Sequence, residues 1–375
     1  MILTDTLSPD FSKSERFIRP GLTWKRSTDK SQLSVALLAS AGEFKTILSG
    51  DAGKVTEYFC LNPRFSWEYD YRSGRRLMID YSTSVNTQAA SQLLPVVNNI
   101  NSLSLFYGNR NLKPEYLHDA RIVWWLFDQF SFTTLLASAN MRYTQDKINY
   151  SRIVNADLGQ TISLINVKDD WDAGGDVDFT TPVRALGIKV NLALNEDYNR
   201  GLSLINGNEN IGRSFIHRIS LTIDNRKKDK WDIQTGSAVT VTDSKYSVQK
   251  SLNNIYQEIS WFTELSYNPG VHFNIGASAD ITSYSAKTFN DAQLVPLIGA
   301  EINYYFLKNR RGALTLSGAD LLNRNRGIER KSEINYLVER KSDIIGRYIM
   351  LSFKYRLNKM GDNNGGLDIQ VKKRR

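Results

Sequence analysis

Only one cysteine, Cys60, stands in 375 residues, so neither an intramolecular disulfide nor a cysteine metal cluster can form. Histidine is nearly as scarce. His118, His217 and His272 lie far apart, and a zinc site would need carboxylates gathered by the fold. No stretch approaches the roughly 20 apolar residues of a membrane-spanning helix; the densest run is Ile122–Phe127. The opening Met1–Asp10 has no basic start, no apolar core of roughly 7–15 residues and no small-residue cleavage site, so it is not expected to act as a secretory signal. No G-x-S-x-G elbow occurs, and neither Gly174-Gly175 nor Gly365-Gly366 opens a helix that could cradle phosphate. A Ser-His-Asp arrangement assembled by the fold stays open on composition, but no enzymatic chemistry, cofactor or metal is expected. The formal charge of +9 is partly concentrated in 323–343 and in Lys372–Arg375. With no recognition helix or RNA-binding motif beside it, a nucleic-acid partner is not expected.

What is present is alternation. In 271–282 every odd residue is apolar (Val271, Phe273, Ile275, Ala277, Ala279, Ile281) and every even one is polar or glycine. Successive side chains of a strand point to opposite faces, so this segment has one apolar and one polar side. The pattern recurs in Leu186, Ile188, Val190, Leu192 and Leu194, in Ile298, Ala300, Ile302, Tyr304 and Phe306, and in Ile349, Leu351, Phe353, Tyr355 and Leu357. About fifteen strands are predicted. They lie near 16–27, 31–48, 59–72, 75–87, 116–128, 131–145, 172–180, 183–196, 213–225, 231–243, 254–267, 271–284, 293–307, 312–321 and 344–357. A mean hydropathy of −0.38 does not decide between a soluble sheet and a transmembrane barrel, because half of each barrel strand faces water. Strand length favours the barrel: many segments run about 10–14 residues, where a tilted spanning strand needs about 9–11 and a globular strand has about 5–6.

The connections sort by length. Short turns are expected at 28–30, 73–74, 181–182, 227–230, 268–270 and 308–311, each carrying turn residues. Long ones are expected at 88–115, 146–171, 197–212, 244–253, 285–292 and 322–343. Short turns on one side and long loops on the other are the habit of outer-membrane barrels. Trp67, Tyr69, Tyr71, Trp231, Tyr267, Tyr304, Tyr305 and Tyr355 cluster near strand ends, as an interfacial girdle requires. His272, beside Asn274, is assigned to the polar face. The expected organisation is an external loop remnant at 1–15, a barrel over 16–358 and a disordered basic periplasmic tail at 359–375. An odd strand count, set against the even count of bacterial barrels, together with the missing signal, leads to the expectation that this is the C-terminal portion of a larger barrel.

Two blocks carry a family resemblance. The first is Gly108-Asn109-Arg110-Asn111-Leu112-Lys113-Pro114-Glu115, with Arg110 where a proline is usual. The second is Asp320-Leu321-Leu322-Asn323-Arg324-Asn325-Arg326 followed by Gly346-Arg347-Tyr348 and the run through Phe353 and Tyr355 to Arg356. Both resemble the barrels of TonB-dependent-receptor-like proteins of the Bacteroidota type, in the outer-membrane protein β-barrel family. The resemblance implies a barrel of about 22 strands, an N-terminal plug absent from this sequence, an inner-membrane energy-coupling complex acting through that plug, outer-membrane lipid around the wall, and uptake of an extracellular ligand that the sequence does not identify. A surface-binding or adhesion barrel without transport, and a soluble β-rich carbohydrate-binding protein, are the alternatives. By its chemistry the first block reads as a loop-to-strand entry, since Pro114 forces extended backbone on Lys113.

Overall fold

The chain folds as an antiparallel sheet whose strands are long because their apolar side has lipid to meet and their polar side has a lumen. The computed structural model describes residues 10–49, 51–96, 104–154, 159–248, 250–285, 292–325, 327–332 and 337–356. Its strands are β1 (Phe11–Ile18), β2 (Gly21–Ser27), β3 (Ser31–Leu48), β4 (Lys54–Arg72), β5 (Arg75–Asn86), β6 (Ser104–Tyr107), β7 (Glu115–Asp128), β8 (Thr133–Val154), β9 (Gln160–Val183) and β10 (Ile188–Ile205). There follow β11 (Asn208–Asn225), β12 (Trp231–Tyr246), β13 (Asn254–Gly270), β14 (Phe273–Tyr284), β15 (Gln293–Phe306), β16 (Gly312–Ala319), β17 (Ile328–Ser332), β18 (Leu337–Lys341) and β19 (Tyr348–Tyr355). One four-residue helix, α1 (Ala90–Leu93), lies between β5 and β6.

Each wall strand pairs with the next in an uninterrupted meander from β3 to β16 and β19, with β5 joined directly to β7. β1 and β2 hold one register against β3 on either side of Arg19-Pro20 and so share one position. A proline here is tolerated because this strand is an edge. β6 is a branch, pairing in parallel with β9, and β17–β18 is a separate hairpin. Among the described residues the wall therefore has fifteen strand positions, the number expected from alternation. No residue register joins β19 to β2 among the described residues, and both strands are exposed along their whole length.

Burial is inverted relative to a soluble protein. On β19, Ile349, Leu351 and Phe353 are 73%, 66% and 63% exposed. On the opposite parity, Asn274 and Asn303 are 2% and 9% exposed and joined by a 3.0 Å hydrogen bond. Apolar chains cover the convex face and polar ones crowd the concave face. That is the arrangement of a barrel in lipid, and it excludes two sheets packed around a dry core. Aromatic pairs belt the end with the short turns: Trp67 on Tyr69 with centroids 5.5 Å apart, Trp231 on Tyr267 at 4.1 Å, Phe273 with Tyr304 at 4.9 Å. Trp124 joins this belt by donating from Nε1 to the Tyr71 hydroxyl at 2.8 Å. Tyr305 departs from the expected girdle, because its register partner Ala313 lies on the concave parity.

Several expectations are corrected. The loops expected at 146–171 and 197–212 are mostly strand: β8 and β9 pair out to Val154–Gln160, and β10 and β11 out to Ile205–Asn208. The second hairpin closes through Asn206-Gly207, both at positive φ (49° and 79°), which is the Asn-Gly turn chemistry. The turn expected at Thr181-Pro182 lies at Arg184–Gly187, where Gly187 takes φ 65°, and β9 runs on through Pro182. β13 continues to Gly270, moving that turn to 271–272. The expected loop 322–343 contains the β17–β18 hairpin. Residues 11–15, expected in an external segment, are paired in β1. Residues 1–9, most of 285–292 and the tail 359–375 lie outside the described residues.

Candidate functional site

The concave face and its external mouth are where this fold can meet a solute. The mouth is narrowed by the segment between β5 and β7 as far as it is described, 87–96 with α1 and 104–115 with β6. It packs on the concave side. Leu93 and Leu112, both at most 1% exposed, close with Phe44 of β3 and Leu164 of β9 into the one buried apolar cluster among the described residues, flanked by Phe11, Tyr58, Phe106 and Ile148. Burying such chains from water at about 25 cal/mol per Å² is what pulls the segment inward.

The first motif block is the stitching of this strap. The Gly108 amide donates to the Leu94 carbonyl at 3.0 Å. A Cβ there would collide with that carbonyl and lie 2.8 Å from the Gln92 oxygen, so only glycine fits. Asn109 Nδ2 donates to the Leu164 carbonyl at 2.9 Å, while its Oδ1 accepts from the Asn111 amide at 2.8 Å. Arg110 donates to the Thr46 carbonyl at 2.9 Å and pairs with Asp51, whose carboxyl it holds below the ordinary aspartate range. Asn111 accepts from Lys54. Lys113 is extended before Pro114 and pairs through its backbone with the Asn166 side chain. Glu115, 5% exposed, accepts from the Ile148 amide at 2.8 Å and from Asn86 Nδ2 at 2.7 Å, with Lys147 Nζ 3.4 Å away. An open recess of about 540 Å³ lies outside the strap, between Asp51, Lys54, Pro95, Asn109 and Asn111.

The second block stands elsewhere, at the base of the 320–347 loop. Asp320, 2% exposed with φ 47°, accepts from the Arg324 and Asn325 amides at 3.1 and 3.2 Å. The Leu321 amide donates to the Ile298 carbonyl. Leu322 is exposed, and Asn323 Oδ1 accepts from the Arg347 amide at 3.2 Å beside Gly346. Tyr348, Phe353 and Tyr355 belong to the exposed β19. No hydrogen bond or ion pair joins the two blocks among the described residues. His272 lies in the 271–272 turn, bonded to the Tyr305 carbonyl at 2.8 Å, rather than on the lumen wall.

Sequence reading missed the lumen chemistry. β9 carries Asp170, Asp172, Asp176 and Asp178, all even and hence all on the concave parity. Amides of β10 donate to three of them: Asn195 to Asp176 directly opposite at 2.7 Å, Asn199 to Asp172 directly opposite, and Asn191 diagonally to Asp178 at 2.9 Å. Asp170, at the external end beyond the Trp171–Tyr143 aromatic pair, is 8% exposed and accepts no hydrogen bond and joins no ion pair among the described residues. Burial, with Asp172 beside it, pushes its carboxyl up to about 6. The signal was available: aspartates at even spacing in a period-two strand. No group of three or more His, Cys, Asp or Glu side chains suited to a metal occurs among the described residues.

A sheet that is apolar and aromatic-belted outside, polar inside, and organised in long up-and-down strands is an outer-membrane β-barrel wall. The sequence pattern of the outer membrane protein beta-barrel family matches residues 42–355, and the chain belongs to that family, which places it in the outer membrane. Among solved structures, the Escherichia coli K12 ferric-catecholate import receptor Fiu in its open form aligns with a TM-score of 0.43 and 10% identity, over 92% of this chain and 64% of Fiu. The closed form gives 0.42, over 93% and 62%. OmpT of Vibrio cholerae gives 0.35 at 9% identity, over 93% of this chain and 99% of OmpT. The chain thus spans less than two thirds of the Fiu chain. No curated protein matches it significantly.

Proposed function

We propose that this chain forms most of the wall of a TonB-dependent-receptor-like import barrel of the Bacteroidota type. It would bind an extracellular ligand at the strap-narrowed mouth and admit it through the lumen, without catalysis. The observation that carries this reading is the strap folded onto the concave face, which leaves a polar, hydrogen-bonded wall and a constricted entrance rather than a packed core. On this reading a plug domain fills the lumen and an inner-membrane complex supplies energy through it.

The sheet edges support a larger barrel. β2 and β19 both descend toward the short-turn end, so antiparallel closure takes an odd number of further strands. Seven would complete the barrel of about 22. In lipid each unpaired backbone group costs several kcal/mol, so these residues alone are not expected to insert as a stable monomer. Fusing them to a signal peptide and recovering a heat-modifiable, protease-resistant barrel from outer membranes contradicts the incomplete-wall reading. For transport, the full gene should confer uptake that is lost when the inner-membrane energy supply is collapsed. Ligand capture with no energised uptake would instead make it a surface-binding barrel.

A further inference from the structure

The concave face is sharply divided in charge. From the row through Asp172 down to the rim pair Lys189–Asp224, the lumen parity of β9 and β10 presents Asp172, Asp176, Asp178 and Asp197. On β13 to β15 the same parity presents Glu264, Asp280 and Glu301. Among the described residues of this sector the lumen cations are Arg218, opposite Asn195, and Lys189 at the rim, which is paired with Asp224. Across β4, β7 and β8, in contrast, lumen cations and carboxylates alternate, and Arg142 donates to Asp119 at 2.6 Å.

The β9–β10 ladder brings no opposing charge to its carboxylates. Each of Asp172, Asp176 and Asp178 accepts a hydrogen bond from a neutral amide of β10 rather than from a Lys or Arg. Asp170 heads the same column and provides a separate observation. It is more than nine-tenths buried, faces the concave side with Gly201 beside Oδ2, and has neither hydrogen bond nor ion pair among the described residues. Lys147 and Arg200 act on its charge from a distance, but they are paired with Glu115 and Asp169. A buried carboxylate without a direct partner is costly, and a cation arriving from the lumen would fit its charge.

We propose that the wall from β9 to β15 is a cation-selective surface and that the solute it passes carries ammonium or guanidinium groups. This rests on reading the concave face as a passage. A low-dielectric channel lined by one sign of charge concentrates counter-ions by factors of about 10 to 10³, and pores lined by Asp and Glu select cations in this way. Asp170 then acts as the outermost contact and the amide-held column as the path inward.

The test uses the full protein in outer membranes, with Cys60→Ser and with Ala193→Cys, which stands directly opposite Asp178. The thiol is reacted with a trimethylammonium and a sulfonate methanethiosulfonate of like size, and the rate ratio is normalised to a free thiol. The expected ratio favours the cation by about tenfold or more. It falls to within about twofold of unity in D172N/D176N/D178N, and partly in D170N. Where the triple variant does not assemble, raising salt from roughly 20 mM to 1 M should collapse the ratio in the parent, since the Debye length falls to about 3 Å. A ratio at or below unity, a ratio that neither neutralisation nor salt moves, or a thiol that reacts with neither reagent overturns the proposal. Labelling needs no energised transport, so its failure and the failure of the uptake reading are separate outcomes.

Discussion

Asn166 pairs with Lys113 as one strand pairs with another. Its Oδ1 accepts from the Lys113 amide at 2.7 Å, and its Nδ2 donates to the Lys113 carbonyl at 2.9 Å and to the Asp146 carbonyl at 2.7 Å. A side chain thereby supplies the ladder that Pro114 interrupts. Asn166→Ala leaves three backbone groups unpaired, at about 1–3 kcal/mol for each that water cannot reach. Protease should cut 88–112 in intact outer membranes of the variant and spare the parent. Equal resistance would show that the strap is held otherwise.

Glu115 ties the strap to β8 through the Ile148 amide and to β5 through Asn86. Truncation to Ala strands these donors in a buried place and should cost about 3–5 kcal/mol. Glu115→Gln, which keeps one acceptor, should cost less than half of that. The order is read from the heat-modifiability midpoint of the barrel, and similar midpoints for the two variants would contradict it.

Gly108→Ala should fail for steric reasons alone, because its Cβ has no room beside the Leu94 and Gln92 carbonyls. Gly187→Ala meets open space, yet its φ of 65° disfavours any Cβ by about 1 kcal/mol. The expected result is poor assembly for Gly108→Ala and nearly normal assembly for Gly187→Ala. The reverse order would contradict the strap geometry.

Asp170 has a carboxyl raised from 3.8 to about 6. An acid whose folded pKa exceeds its unfolded one opposes folding increasingly as pH rises through that window, and not below it. Asp170→Asn should therefore raise stability at pH 7.5, read as an upward shift of the melting midpoint, by on the order of 1–3 kcal/mol, and leave it little changed at pH 4. The same gain at both pH values would show that burial of an unpaired charge is not the cause.

Much of this was legible in the sequence, and the boundary has a physical origin. Inside the membrane each strand has lipid on one side, so period-two alternation marked β14, β15 and β19 directly. Above the membrane both faces of β8 and β9 meet water or the strap. Alternation fades there, and Lys147–Val154 read as loop although it is paired. Asn206-Gly207 was a readable turn signal passed over for the same reason. The motif blocks gave no hint that the first reaches from Thr46 to Leu164, because those contacts join residues more than fifty positions apart. The Asp–Asn ladder became visible only once register placed β9 beside β10.

The central claim is that one face of each strand touches lipid and the other touches water. Nitroxides placed singly at each residue of β14 from Phe273 to Thr282, in outer membranes, report it through collision rates with oxygen and with a nickel chelate. The account predicts oxygen maxima at Phe273, Ile275, Ala277, Ala279 and Ile281 and nickel maxima at the residues between them. A profile with no period of two, or with oxygen maxima at Asn274 and Ser278, would contradict it.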